Sequence, residues 1–177
     1  MTNTCSDTHT NLLVGKPPST SEIQTVELIL PNDTNLLGNL LGGKLMHWMD
    51  VAGAMAASRH SSSIVATASM DGFDFRNPIK QGELVVLKAK LSWVGTTSME
   101  VFVQAFAENV VTGKVLLANE TYMTFVALHK NGCPKKVPPL LPQTEKEHRD
   151  FDMAKERRKK RLHRREQQID VTMVEGR

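Results

Sequence analysis

The chain has 177 residues and a formal net charge of +3, with 22 Lys+Arg against 19 Asp+Glu. Residues 1–143 hold 11 basic and 11 acidic side chains, and residues 144–177 hold 11 against 8, so the whole excess (11 − 8 = 3) lies in the last fifth. A neutral body argues against a globally basic nucleic-acid-binding domain. The 40% hydrophobic content suits one globular domain with a proper core, and no run of about 20 apolar residues offers a membrane span. Residues 1–10 are polar and lack the cationic start and apolar stretch of a signal peptide. Cys5 and Cys133 cannot build a disulfide framework, and neither has a partner at metal-site spacing, so a reducing, cytoplasmic setting is expected.

In chain order, residues 1–20 read as a flexible arm rich in Ser, Thr and Asn. Residues 22–30 (EIQTVELIL) read as a strand closed by Pro31, and 32–35 as a turn cluster. Residues 44–59 lack Pro and are rich in Ala and Met, which predicts a helix. Its small residues Gly53, Ala54, Ala56 and Ala57 suit burial against a sheet. After Ser61–Ser63, Ile64, Ala66, Ala68 and Met70 alternate with Val65, Thr67, Ser69 and Asp71, the period of a strand. Three long strands follow at 83–94, 98–109 and 114–129, joined by short Gly-containing turns, an antiparallel meander. A Pro-rich linker is expected at 134–143, and a helix from 144 that carries the basic excess. The fold class is therefore α+β. It is a five-stranded antiparallel sheet wrapped around a central helix over 21–133, the hotdog arrangement, with a C-terminal helix and tail over 144–177. A lone curved sheet of this kind leaves an exposed edge, which pairing two sheets in a dimer removes.

Residues 38–45 (GNLLGGKL) match seven of the eight positions of a phosphate-binding loop. Leu45 stands where a hydroxyl must hold Mg²⁺, and the strands that follow lack the crossover helices of a parallel sheet. The glycines have another use, letting helix-start N–H groups approach a substrate oxygen closely. Asp50 is the most informative residue. Asp is a poor choice in a helix interior and costly to bury, yet its helical neighbours Met46, Gly53, Ala54 and Ala57 are apolar or small. A carboxylate in such a setting points to function. On pattern alone, Asn35 reads as a turn residue and Thr67 as an ordinary β-branched strand residue. His47 and His60 have no cysteine or carboxylate placed to complete a triad, and both read as structural. There is no G-x-S-x-G elbow and no H-E-x-x-H.

Residues 33–60 (DTNLLGNLLGGKLMHWMDVAGAMAASRH) resemble the signature of the cytosolic acyl-CoA hydrolase family of hotdog thioesterases, roughly D-x-N-x-x-G-x-x-x-G-G-x-x-[ML]-x-x-[ML]-D. Asp33, Asn35, Gly38, Gly42, Gly43, Met46, Met49 and Asp50 carry the match. The segments 64–85, 95–106 and 137–158 are similar to later parts of the family, so the resemblance spans about residues 23–165. It implies a composite site between two subunits. Asp50 corresponds to the catalytic carboxylate, Asn35 to its partner from across the dimer interface, and Thr67 to a hydroxyl that places the reacting water. Gly43, at the helix start, would supply an N–H to the developing oxyanion. Gly42, Arg76 and Ser98 are the candidate contacts for the CoA moiety. The implied substrate is an acyl-CoA thioester, with no metal and no cofactor, acting in a homodimer and a trimer of dimers.

Thioester chemistry suits this set. A thiol leaving group of pKa roughly 8.5 departs without a strong general acid, so one carboxylate base can suffice. Direct attack by Asp50 to form a mixed anhydride is the alternative. The rival functions are a hotdog enoyl-CoA hydratase, whose His–acid pairing is not found here, and a non-catalytic acyl-CoA sensor, which usually adds a DNA-binding domain. Lys155–Arg165 carries eight basic side chains and one acidic. It reads as a solvated helix, with attraction of anionic CoA esters as the next reading and nucleic-acid binding a distant third.

Overall fold

The computed structural model describes residues 13–174, including their side chains except at 165 and 168–174. The first twelve residues of the expected arm and the last three of the tail lie outside the described residues. The chain divides into two compact units, Met1–Leu141 and Pro142–Arg177.

The first unit contains β1 (Ile23–Leu28), α1 (Gly42–Ser61), β2 (Ile64–Met70), β3 (Leu84–Val94), β4 (Ser98–Glu108) and β5 (Val115–Leu128). The strands form one sheet in the order β1-β3-β4-β5-β2, and each strand pairing is antiparallel. This is the five-stranded antiparallel hotdog sheet expected from the sequence, and it gives a phosphate-binding loop no parallel scaffold. β1 and β2 are its two edges. The meander β3–β4–β5 forms because long β-branched and aromatic strands alternate inward and outward around tight turns. The inward row of β4 (Met99, Val101, Val103, Ala105) and that of β5 (Met123, Phe125, Ala127) are buried.

α1 crosses the concave face. Its buried residues Leu45, Met49, Ala52, Gly53, Ala56, Ala57 and His60 recur at the three-to-four spacing of a single helix face. The small residues allow close approach. A Cβ built on Gly53 would lie 2.9 Å from Phe125 Cζ and 3.4 Å from Val103 Cγ2. The helix begins two residues before the expected start, at Gly42. It ends at Ser62, whose φ of 50° places it in the left-handed region while its N–H bonds to Ser58 O at 2.8 Å.

β2 departs from simple alternation. Its register with β5 runs Ile64↔Leu128 to Thr67↔Phe125 and then resumes at Ser69↔Thr124, leaving Ala68 as the extra residue of a bulge. Thr67 and Ser69 therefore do not share a face as the period of two implied. Thr67 is opposite the inward-facing Phe125 and turns toward α1.

The Pro-rich segment is not a free tether up to Leu141. Lys135 N–H bonds to Ala127 O, Val137 N–H to Thr96 O, Lys16 N–H to Pro139 O and Leu141 N–H to Lys16 O. Val137 and Leu140 are buried. The same bonds tie residue 16 of the expected arm to the first unit, and Pro18–Ser21 forms a 3₁₀ turn. Cys133 is buried and disulfide-bonded. The sequence's other cysteine lies outside the described residues, and cysteine usage accordingly carries no weight for a reducing setting.

The second unit is α2 (Glu145–Val174). Glu147 caps its start by accepting from the Gln143 and Thr144 N–H groups. Pairs three residues apart, Lys155 with Asp152 and Lys159 with Glu156, lie along its exposed surface. Such pairs contribute only a few tenths of a kcal/mol each, roughly, so they mark a solvated helix face and little stability.

Candidate active site

The approach to α1 is built by Asp33. Its Oδ2 accepts the Leu30 N–H at 3.1 Å, its backbone O accepts the Leu41 N–H at 2.9 Å, and its Oδ1 lies 3.3 Å from Lys44 Nζ. Asp33 is thus a structural member of the 33–50 signature, fixing where the helix starts.

Two residues later, Asn35 closes a tight loop. Its Oδ1 accepts the N–H groups of Leu37 at 2.9 Å and Asn39 at 3.2 Å, and Gly38 supplies the positive φ of 72° that the turn requires. These two bonds orient the amide so that Nδ2, a donor, remains for an outside partner. Leu36 and Leu37, beside it, are almost wholly exposed.

At the helix start, no side chain caps Leu41. Lys44 and Leu45 donate back to Leu41 O, whereas Gly42 and Gly43 N–H have no backbone acceptor among the described residues. A Cβ on Gly43 would meet nothing within 4 Å. The result is an open helix N-terminus with two unpaired donors and the positive end of the helix dipole.

Two turns further along, Asp50 meets Thr67. The Thr67 hydroxyl donates to Asp50 Oδ1 at 2.7 Å, bridging α1 to the edge strand β2. The bulge at Ala68 follows immediately, and it is the device that leaves Thr67 on the helix side. Asp50 is half-buried and Thr67 exposed, so the pair stays open to an incoming molecule.

The structure brings Asp50 and Thr67 together, and Gly42 and Gly43 together. Asn35 bonds instead to Leu37 and Asn39, and among the described residues no hydrogen bond links it to Asp50. Arg76 is engaged elsewhere, its guanidinium 2.6 Å from Glu120 Oε1 and its N–H on Ala118 O. Ser98 opens β4, and its backbone O accepts the Gly95 N–H. His47 is exposed. His60 is fully buried, its Nε2 2.9 Å from Pro138 O, and burial lowers its pKa from the usual 6.5, with Lys16 adding to the effect against the opposing bond to Pro138. That neutral, enclosed imidazole is structural. Sequence reasoning gave no role to Phe75, whose ring lies on Gly42. An aromatic within a loop rich in polar residues was the available signal. Among the described residues, no group of three or more His, Cys, Asp or Glu side chains could hold a metal.

Known proteins resemble this chain in sequence and fold. Residues 37–114 match the thioesterase superfamily model. The chain is 42% identical over 144 residues to an uncharacterised acyl-CoA thioester hydrolase of Bacillus subtilis, covering 81% of this chain and 84% of that protein. The chain belongs to the thioesterase superfamily. Among solved superfamily structures, an acyl-CoA hydrolase of Staphylococcus aureus in complex with butyryl coenzyme A, coenzyme A and coenzyme A disulfide is 36% identical, with a TM-score of 0.83 over 92% of this chain and 99% of that one. Variants of that enzyme with an aspartate, an asparagine or a threonine replaced by alanine are also similar to it. An apo-hexameric acyl-CoA thioesterase is 38% identical, with a TM-score of 0.83 over 86% and 97% of the two chains. The cytosolic acyl coenzyme A thioester hydrolase of mouse is 33% identical over 141 residues, and the match spans only 37% of its length.

Proposed function

We propose that this thioesterase-superfamily protein is an acyl-CoA thioesterase that hydrolyses acyl-CoA to free fatty acid and CoA. The observation that carries the reading is the Thr67–Asp50 hydrogen bond at the open face of α1. Asp50 is the general base. Its Oδ1 is held by Thr67, which leaves Oδ2 to take a proton from water. The Thr67 hydroxyl, having donated its proton, keeps lone pairs that accept from the same water and orient it.

The oxyanion falls to the helix N-terminus, chiefly the Gly43 N–H, assisted by Asn35 Nδ2. The orientation of the Asn35 amide supports a role on the thioester carbonyl, which needs a donor. Gly43 and Asp50 are seven residues apart on one helix, about 10 Å along its axis at 1.5 Å per residue. Drawing the N–H and Asn35 from one subunit and Asp50 from its partner removes the need for one thioester to span that distance. The unpaired edge of β2, next to Thr67, supports pairing with a second copy. Three such dimers would make a hexamer, and a similar acyl-CoA thioesterase is hexameric. Asn35, Asp50 and Thr67 are separated by 15 (50 − 35) and 17 (67 − 50) residues. The asparagine, aspartate and threonine altered in the Staphylococcus aureus enzyme have the same two spacings.

No metal or cofactor enters this scheme. Gly42, at the start of α1, and Ser98, at the start of β4, are the proposed CoA contacts. Arg76, half-exposed and bonded to Glu120 through one guanidinium nitrogen, would serve CoA with its remaining N–H donors. The cytoplasm is the proposed setting, in keeping with the cytosolic relative in mouse. The test is Asp50→Asn, which preserves shape and removes the base. It should fold as the wild type does and release no CoA in a thiol-trapping assay. Near-wild-type turnover would overturn the mechanism.

A further inference from the structure

The loop between β2 and β3 carries a feature that the scheme above leaves unused. It is strapped along β5 by the backbone bonds Asp71 N–H to Tyr122 O at 2.9 Å and Arg76 N–H to Ala118 O at 3.0 Å, and by the Asn77 side-chain Nδ2 to Leu117 O at 2.8 Å. From β5, the buried Asn119 amide donates to Asp74 O at 2.6 Å and the Thr121 hydroxyl to Asp71 O at 3.3 Å.

What this strapping presents is Phe75. Its ring stands edge-on to Phe73, with centroids 5.0 Å apart and planes at 68°, and its Cζ lies where a Cβ on Gly42 would come within 2.6 Å. Yet Phe75 is 57% exposed. An aromatic ring held this firmly and left this open is a prepared apolar surface. It adjoins the helix N-terminus, whose Gly42 and Gly43 N–H groups have no backbone acceptor among the described residues. A thioester whose oxygen reaches Gly43 must pass its apolar flank, the sulfur and adjoining methylenes, beside that ring.

We infer that Phe75 is a substrate-positioning residue that packs against the methylene–sulfur segment of the acyl-CoA thioester, and that Gly42 lacks a side chain to seat this ring. The inference deepens the thioesterase reading and rests on it.

The experiment compares Phe75→Ala, Phe75→Leu, Gly42→Ala and the double variant Gly42→Ala/Phe75→Ala, as full-length assembled proteins, with butyryl-CoA as substrate. Size-exclusion profiles and melting curves accompany the kinetics. Phe75→Ala should raise KM about tenfold with a smaller change in kcat, and Phe75→Leu should restore most of the loss. Gly42→Ala should lower kcat/KM about tenfold in the parent by displacing the ring, and by less than about twofold once Phe75 is Ala. An unchanged KM in Phe75→Ala, an equal Gly42→Ala penalty in both backgrounds, or a change confined to oligomeric state would each overturn the inference. An active parent with unaffected variants sinks the Phe75 role alone. A parent that releases no CoA from any acyl-CoA sinks the thioesterase reading and this inference with it.

Discussion

Gly43 and Gly53 lie ten residues apart on α1 and should respond oppositely to the same substitution. In a helix interior, Gly→Ala is favourable by up to about 1 kcal/mol through propensity alone, less in the first turn. At Gly43 the new methyl meets nothing within 4 Å, so Gly43→Ala should be neutral or stabilising within that range. At Gly53 it would sit 2.9 and 3.0 Å from two atoms of the Phe125 ring, which is fully buried and has no room to retreat. Overpacking of this kind costs about 1–3 kcal/mol, so Gly53→Ala should be net destabilising by up to about 2 kcal/mol. For a chain of this size, each kcal/mol shifts the melting temperature by about 2–4 °C. The comparison is made by urea unfolding and melting curves at one fixed protein concentration, because assembly contributes to stability. Activity should follow the reverse order for Gly43. Its methyl enters the space where the thioester oxygen must approach, and kcat/KM should fall about tenfold while stability does not fall. If both alanines stabilised equally, α1 would not be seated on β4 and β5 as described. If Gly43→Ala were fully active, the helix N-terminus would not be the oxyanion site.

Thr67→Val keeps the shape and β propensity of Thr67 but removes the donor to Asp50. Loss of a hydrogen bond to a charged group, about 1.5–3 kcal/mol, should lower kcat/KM by tenfold or more, and Thr67→Ser should recover most of it. A Val variant as active as Ser would remove Thr67 from the mechanism. His60, with its pKa lowered in the folded state, makes stability depend on pH. The unfolded chain takes up the proton more readily, so the stabilising contribution is complete above the ordinary value of 6.5 and is lost as pH falls below it. Melting curves should therefore decline toward acid, and the decline should be shallower in His60→Asn. Equal slopes in the two proteins would show that His60 is not what acid disturbs.

The order of elements was legible because each announces itself locally. Strands β3 to β5 alternate, the turns carry glycine, and the Ala- and Met-rich stretch around Asp50 lacks breakers. Asp50 itself was legible as a carboxylate among small apolar residues. What escaped were features that depend on distant segments. The bulge at Ala68 is invisible because the letters of β2 alternate straight through it, and only pairing with β5 shows the slipped register. The early helix start at Gly42 and Gly43 runs against propensity and is carried by Leu41 O and the Asp33 loop. Arg76 reads as a candidate CoA contact until the fold places Glu120 beside it from 44 residues away. The Pro-rich segment reads as a tether because its bonds to β5, Thr96 and Lys16 are all non-local.

The central claim is that each active site joins Asp50 of one subunit to Asn35 of another. Asp50→Asn and Asn35→Ala, each inactive alone, can be co-expressed with different tags and the CoA release of the mixture measured. In a symmetric dimer, random mixing makes half of the dimers mixed, and one of the two sites in each is intact, so about a quarter of the wild-type rate should return. Dimers purified through both tags should reach about half. A mixture as inactive as its two parents would place both residues of the site within a single chain and contradict the account.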